Sequence, residues 1–270
     1  MIHKKYLQNA LIGSVAALFG GTRLMPANDV NGPVVTRAIS IVTGTTADTS
    51  RADSSTAAPK SKVMVALASF QNAVRPLSSS HALEDAFRSY FAYKSAHPLD
   101  VKKPYLYFVD YGLPSNEARG YVFDMNEMKI VDGPFMVAHG RGSSATKAGV
   151  PTRFSNKPGS AATSLGLYLA QETYSFHGKT AGRPYGSVGL KLQGVSEGFN
   201  DNARARKVVA HGAPYVTPKG AGRSEGCPAM EQTRAKKLLP ELANGGMVFL
   251  FAPDDQWIAN DPWVSAAVTD

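Results

Sequence analysis

Residues 208–230 read VVAHGAPYVTPKGAGRSEGCPAM. The apolar, β-branched run at residues 207–211 predicts a strand that ends at His211. Cys227, the only cysteine of the chain, follows sixteen positions later and precedes a predicted helix over residues 230–243. We therefore expect a sheet edge at which an imidazole and a thiol meet.

The pairing of His211 with Cys227 is typical of a nucleophilic thiol, because a nearby imidazole takes the proton of a thiol that is only partly ionised. A helix that begins beside the sulfur, with Pro228 in its first turn, would favour the thiolate. Gly226 lets local N–H groups face a developing oxyanion, and Gly212 leaves room beside the imidazole. The same pair is also compatible with coincidence among six histidines.

Short aromatic and β-branched runs, separated by Gly, Pro and Asn, surround this stretch. They predict strands at residues 105–111, 120–125, 135–138, 164–170, 188–192, 207–211 and 246–251. Many short strands with few helices predict a mainly β, α+β domain with a curled or barrel-like sheet.

A small helical segment precedes the strands. Apolar residues recur at helical spacing within residues 63–74 and 81–96. Ser80 is predicted to cap the second helix and Pro98 to end it. We expect the aromatic residues of these helices to pack in the core.

The N-terminus has a basic start and an apolar run at residues 11–21, which is typical of a signal peptide; an uncleaved membrane anchor is the alternative. Residues 28–62 are rich in Thr, Ser, Ala and Asp and predict a flexible linker. The predicted order is a signal peptide or anchor at 1–27, a linker at 28–62, a helical segment at 63–99, a catalytic domain at 100–252 and a C-terminal tail at 253–270.

The composition narrows the range of partners. The chain carries 29 Lys and Arg against 21 Asp and Glu. The resulting net charge of +8 favours contact with anionic polymers such as the cell wall, a membrane surface or nucleic acid. The basic residues are scattered, so no nucleic-acid partner is expected. No motif with metal-ligand spacing and no phosphate-binding or dinucleotide-binding glycine pattern is present, so neither a metal nor a cofactor is expected.

Several motifs together resemble a known family. His211-Gly212 followed by Ser224, Gly226 and Cys227 resembles the signature of L,D-transpeptidases with the YkuD fold. The resemblance is closest to the branch known as the murein L,D-transpeptidase catalytic domain family, and it covers roughly residues 100–252. The supporting stretches are VAHG at 137–140, FSN at 154–156, SLG at 164–166 and EGFN at 197–200.

This resemblance implies a mostly β catalytic domain that acts on peptidoglycan stem peptides in the periplasm or cell envelope. Cys227 would attack a stem tetrapeptide, release D-alanine and pass the acyl group from a thioester to an amine or to water. His211 would be the general base, the N–H groups of Gly226 and Cys227 would form the oxyanion hole, and Ser224 would orient the loop.

The chain departs from the usual family pattern at three positions. Glu225 stands where a histidine is usual, and Pro228 and Ala229 stand where an apolar residue and an arginine are usual. That arginine is expected to hold a substrate carboxylate, and Arg223 or Arg141 is the expected substitute.

Two further histidines need an interpretation. His139 mirrors His211, since both lie at a strand end before a glycine. It is expected either to contact substrate or to make a structural hydrogen bond. His177 is expected on a surface loop.

Two alternatives to transpeptidation stay open. One is an L,D-carboxypeptidase or other cysteine hydrolase that acts on the same stem peptides. The other is a non-catalytic module that binds the cell wall. The oligomeric state is not predicted.

Overall fold

The computed structural model describes residues 61–267, and these lie within one compact unit. The expected signal peptide or anchor at 1–27 and nearly all of the expected linker at 28–62 lie outside the described residues. Across the described part of the chain, no helix has the length and apolar character needed to span a membrane.

Two helices come first, α1 over Lys62–Phe70 and α2 over Ala82–Ala96. The second helix ends before Pro98, as predicted. Its N-cap is His81 rather than the predicted Ser80, and no side chain in the described part of the chain caps it. Acidic residues in the first turn of α2 interact favourably with the positive end of the helix dipole. They stabilise the N-terminus of the helix in place of a side-chain cap.

Short strands make up most of the remaining chain. They are β1 Tyr105–Asp110, β2 Gly120–Asp124, β3 Lys129–Phe135, β4 His139–Gly140, β5 Gly166–Thr180, β6 Arg183–Gly194, β7 Val209–Gly212, β8 Val216–Thr217, β9 Gly220–Ala221, β10 Arg223–Ser224, β11 Ala229–Met230 and β12 Met247–Phe251. Helix α3 covers Gln232–Leu242 and helix α4 covers Asp255–Asn260.

Eight of the strands form one mixed sheet in the order β11-β7-β6-β5-β12-β1-β2-β3. The pairs β1–β12 and β7–β11 are parallel, and the other neighbours are antiparallel. Two small sheets, β4 with β10 and β8 with β9, lie outside it. The mainly β, α+β fold is confirmed, and the sheet is open rather than a closed barrel.

The predicted strand at residues 135–138 is wrong. Strand β3 ends at Phe135, and beyond it Ala138 forms an isolated bridge with Ala229. Most of β3 is half-buried rather than alternating between core and solvent, and it contains Pro134. The sequence therefore lacks the alternation that marks a strand.

The hairpin of β5 and β6 extends well beyond the predicted strands at 164–170 and 188–192. Ala181 and Gly182 join the two strands with φ of 48° and 77°, as in a tight hairpin turn. The outer half of the hairpin is not fully buried and carries no apolar run. His177 consequently lies in strand β5, and its expected placement in a loop is wrong.

Helices cover both faces of the sheet. Phe70 of α1 and Phe87 of α2 contact Phe123 of β2 at ring-centroid distances of 4.7 and 5.7 Å. Leu106 of β1 pairs with Phe123 and shares its face of the sheet. The next residue, Tyr107, points to the opposite face, because neighbouring positions of a strand alternate. It stacks there on Phe135, over which Arg234 of α3 lies. The result is a sheet with a helical layer on each side.

The end of the described chain also packs on this core. Trp257 of α4 is buried, with its ring 5.8 Å from that of Phe249 and 5.9 Å from that of Phe251. Asp254 caps the helix by accepting from the N–H of Trp257, and Asp261 accepts from its indole N–H at 2.8 Å. Residues after 252 thus contribute to the hydrophobic core.

Candidate active site

The parallel pairing of β11 with β7 brings Cys227 and His211 to one edge of the sheet. Ala229 lies opposite His211 in this ladder, and the N–H of His211 donates to Pro228 O at 3.4 Å. Cys227 is two positions before Ala229, so it lies beside the start of β7, where its Sγ is 3.9 Å from Lys207 O. The sequence stretch that joins the two residues folds back as expected.

A tight turn presents the cysteine. The hydroxyl of Ser224 donates to Cys227 O at 2.7 Å and accepts from the N–H of Gly226 at 3.2 Å. Gly226 has φ of +124°, and a Cβ there would lie 2.9 Å from Ala162 O. Glycine is therefore required at position 226 for backbone conformation as well as for space.

The two backbone N–H groups expected to form the oxyanion hole differ in availability. The N–H of Gly226 is engaged by Ser224. Within residues 61–267 the N–H of Cys227 donates to no protein group. The group free to receive an oxyanion is thus that of Cys227.

The expected helix N-terminus beside the sulfur is wrong. Strand β11 separates Cys227 from α3, which begins at Gln232. Pro228 precedes that strand and does not lie in a helical first turn. Since the macrodipole acts within the first turn of a helix, it does not lower the pKa of this thiol.

His211 is oriented and neutral. Its side chain is 3% exposed and stacks on Phe176 at a ring-centroid distance of 4.1 Å. Its Nδ1–H donates to Gly212 O at 3.1 Å, which leaves the lone pair on Nε2. Burial lowers the pKa of His211 to about 4, against a raising effect of the Gly212 carbonyl. Nε2 has no hydrogen-bond partner among the described residues and is not shut off from solvent.

Cys227 is a protonated, partly exposed thiol. Burial raises its pKa to about 11, although the backbone of Val209 and the charge of Arg206 act in the opposite direction. Among the residues described, no hydrogen bond joins Sγ to His211. The pair therefore rests as thiol and neutral imidazole, and not as an ion pair.

Arg206 is a site residue that sequence reasoning missed. Its guanidinium donates to the carbonyls of Ser155 and Ala162 at 2.7 and 2.6 Å, and to the hydroxyls of Ser160 and Ser164 at 3.2 Å. It thereby anchors the loop at residues 155–164 beside Gly226. No spacing pattern distinguishes Arg206 from the other arginines, because its acceptors lie more than 40 positions earlier in the chain.

Aromatic residues that pack around Phe176, the ring stacked on His211, were also missed. Tyr174 and Tyr185 lie 6.3 and 6.0 Å from Phe176, and Tyr215 lies 6.4 Å from Tyr185, between ring centroids. Burial raises the pKa of each tyrosine, and Cys227 adds to that rise. An aromatic surface thus runs from His211 through Phe176 and Tyr185 to Tyr215. The sequence did not predict this surface, because the outer half of the hairpin carries no apolar run that would indicate strands.

His139 makes the structural hydrogen bond that was one of its two expected roles. Its Nδ1 accepts from Arg119 at 3.0 Å, and its side chain has no exposed surface. Burial and the charges of Arg119 and Arg223 lower its pKa to about 3. The expectation that it contacts substrate is wrong, because the ring is sealed within the protein.

The expected role of Gly212 is also wrong. A Cβ at this position would lie 2.8 Å from both Ala235 Cβ and Gln232 Cα and would collide with Ser187 Oγ. The glycine lets β7 approach α3 closely and leaves no room for substrate. Its carbonyl contributes to the site by orienting His211.

The remaining predicted residues lie on the surface near the thiol. Exposed Glu225 forms an ion pair with Arg141 at 2.8 Å. Arg223 is half-buried, and its guanidinium donates to Ser144 O at 3.0 Å and Ala145 O at 3.3 Å. Both arginines line the same cleft. Within the described residues, no group of three or more His, Cys, Asp or Glu side chains is arranged to hold a metal ion.

Comparison with known proteins identifies the family. The family model described as L,D-transpeptidase catalytic domain matches residues 75–251. An L,D-transpeptidase from Stackebrandtia nassauensis is similar in structure, with 17% identity and a TM-score of 0.34 over 64% of this chain and 67% of that chain. One from Mycobacterium smegmatis has 13% identity and a TM-score of 0.32 over 55% and 59%.

The alignments span between about half and two thirds of the solved chains. A search of curated proteins finds no match. The family match covers well over half of the chain, and the protein belongs to the L,D-transpeptidase catalytic domain family.

Proposed function

We propose that the protein is a peptidoglycan L,D-transpeptidase in which Cys227 is the nucleophile and His211 the general base. One observation supports the proposal: the β7–β11 ladder holds a partly exposed thiol at the same sheet edge as an imidazole whose Nε2 has no hydrogen-bond partner among the described residues. The donor substrate is a stem tetrapeptide, cleaved before its terminal D-alanine.

The acylation step follows from the neutral pair. The Cys227 thiol turns from Lys207 O toward His211, gives its proton to Nε2 and forms a bond to the substrate carbonyl carbon. The N–H of Cys227 donates to the resulting oxyanion. The intermediate collapses with cleavage of the C–N bond, and the imidazolium returns the proton to the amine of the departing D-alanine.

The second half resolves the thioester. An amine of another stem peptide attacks the carbonyl carbon, and His211 takes a proton from that amine. The C–S bond breaks, and the proton returns to the sulfur. The net result is one peptide bond exchanged for another, without an external oxidant or cofactor.

Water in place of the amine makes the protein an L,D-carboxypeptidase. The partial exposure of Cys227 supports this alternative, because it leaves the sulfur within reach of solvent. A wall-binding module without turnover is the other candidate. The departures from the usual family pattern at Glu225 and Ala229 favour it.

The expected location is the cell envelope, where the substrate lies. Residues 1–27 are proposed to direct export, either as a cleaved signal peptide or as an anchor. Fractionation of cells that express the full chain, with and without these residues, tests this part of the proposal.

Product analysis tests the reaction. The protein is incubated with a synthetic stem tetrapeptide, with and without a second stem peptide that carries a free amine. Transpeptidation predicts D-alanine together with a cross-linked dimer, whereas hydrolysis predicts D-alanine and tripeptide alone. If no D-alanine is released under either condition, the wall-binding module is the only one of the three candidate functions that remains.

A histidine pair supplies the matched control. His211→Asn is expected to lower the rate of D-alanine release by roughly 10²- to 10⁴-fold, because general-base catalysis is lost. His177→Asn, on the exposed part of the hairpin, is expected to release D-alanine at the wild-type rate. Equal rates for the two variants would contradict the role given to His211.

A further inference from the structure

A cleft of about 640 Å³ lies beside the aromatic surface, and of the residues between 61 and 267 that line it, every charged one is basic. We call it the basic cleft. Its cations are Arg141, Lys147, Lys179, Lys219 and Arg223. Such a concentration of one charge sign raises the local concentration of anions.

Among the residues that the structure describes, the three lysines of the basic cleft have no counterion. All three are exposed, and within residues 61–267 none of them forms an ion pair. The two arginines are already held, Arg141 by Glu225 and Arg223 by backbone carbonyls. The unpaired charge of the cleft therefore comes from the lysines.

The basic cleft adjoins the thiol. Tyr215 lines it and lies 6.4 Å from Tyr185 of the aromatic surface, between ring centroids. Arg223 and Gly222 form its wall immediately before the turn that presents Cys227. Lys179 and Ala181, at the tip of the β5–β6 hairpin, form the other side. A peptide that reaches Cys227 along the aromatic surface thus enters the cleft.

We propose that the basic cleft binds side carboxylates of the stem peptide while its scissile carbonyl lies at Cys227. The inference rests on the proposed function and names the groups that the cleft recognises. Stem peptides carry carboxylates along the chain, and ammonium groups of Lys147, Lys179 and Lys219 match them in charge. Because these lysines are exposed, their attraction is weakened by salt.

Binding is measured separately from chemistry with the Cys227→Ala protein, which cannot form the thioester. Two synthetic tetrapeptides serve as probes, one with free side carboxylates and one with the same carboxylates converted to amides. Isothermal titration calorimetry at low ionic strength gives the Kd of each. We expect the amidated peptide to bind about tenfold more weakly, with the difference reduced by added salt.

Two lysine variants, each in the Cys227→Ala background, have the same net charge. K147Q/K179Q/K219Q removes the unpaired charges of the basic cleft and is expected to bind both peptides with the same weak affinity. K102Q/K236Q/K237Q changes exposed lysines that do not line it and is expected to retain the tenfold preference.

Retained preference for the free-carboxylate peptide in K147Q/K179Q/K219Q would overturn the proposal, as would equal binding of the two peptides by the parent protein. These results do not depend on turnover. If the wild-type protein fails to acylate Cys227, the proposed function fails, whereas the carboxylate preference is still read directly from the Kd values.

Discussion

His211 stays neutral in weak acid, because burial lowers its pKa to about 4, and the neutral ring is the form that the proposed reaction needs. Cys227 keeps its proton in weak base, because burial raises the pKa of its thiol to about 11. An ion pair between them would require the acid to have the lower pKa, and here the order is reversed. For the proposed reaction, this order predicts that proton transfer accompanies attack on the carbonyl.

The two pKa values predict different pH profiles for two reactions of one sulfur. Alkylation by iodoacetamide needs the thiolate, so its rate is expected to rise about tenfold per pH unit between pH 7 and 10. Acylation by the stem tetrapeptide uses the neutral pair, so its rate is expected to stay flat from about pH 5 to 9. Mass spectrometry of the modified protein against time measures both rates.

The His211→Asn variant is the control for this interpretation. Its alkylation profile is expected to keep the same slope, because a neutral imidazole does not set the ionisation of the thiol. Its acylation rate is expected to fall at every pH. An alkylation rate that levels off below pH 8 in the wild type would show a preformed thiolate and contradict the neutral resting pair.

Strand β7 carries His211 and depends on close contact with helix α3. A Cβ at position 212 would lie 2.8 Å from both Ala235 Cβ and Gln232 Cα. Gly212→Ala is expected to destabilise the protein by about 1–3 kcal/mol through overpacking. Thermal unfolding measures this change, and the rate of Cys227 acylation reports the accompanying displacement of the imidazole.

Gly186→Ala gives the matched comparison, because a Cβ there would meet no atom of residues 61–267 within 4 Å. It is expected to change stability by less than about 0.5 kcal/mol. If both substitutions proved equally mild, Gly212 would not be the close contact that positions β7.

Sequence patterning predicted the elements whose side chains alternate or are apolar throughout, such as β1 and β12. It failed for β3 and for the outer part of the β5–β6 hairpin, where half-buried polar residues leave no apolar signal. The sequence did predict that Cys227 and His211 share one sheet edge, because a strand end and flanking glycines are local features that can be read from neighbouring residues. Arg206 and Tyr215 stayed hidden, because tertiary folding alone brings them beside the thiol.

At the scale of the whole molecule, the hydrophobic core extends past both ends of the family match at residues 75–251. Phe70 of α1 lies before the match and Trp257 of α4 after it, yet both are buried in the same core as the sheet. The helical segment therefore supports the catalytic sheet.

Removing one of these outer anchors is expected to weaken the entire domain. Phe70→Ala removes a ring that contacts Phe87 and Phe123 and should cost about 3–5 kcal/mol. Met64→Ala, on the exposed side of the same helix, should change stability by less than about 0.5 kcal/mol. Unfolding should remain a single transition by circular dichroism; a separate early transition in Phe70→Ala would show that α1 folds independently of the sheet.

The most direct test of the account is the intact mass of the protein after incubation with a stem tetrapeptide. The wild type is expected to gain the mass of the tetrapeptide less D-alanine, as a thioester on Cys227. The Cys227→Ala variant is expected to keep its original mass. An adduct of the same size on Cys227→Ala, or none on a folded wild-type protein, would contradict the assignment of Cys227 as the nucleophile.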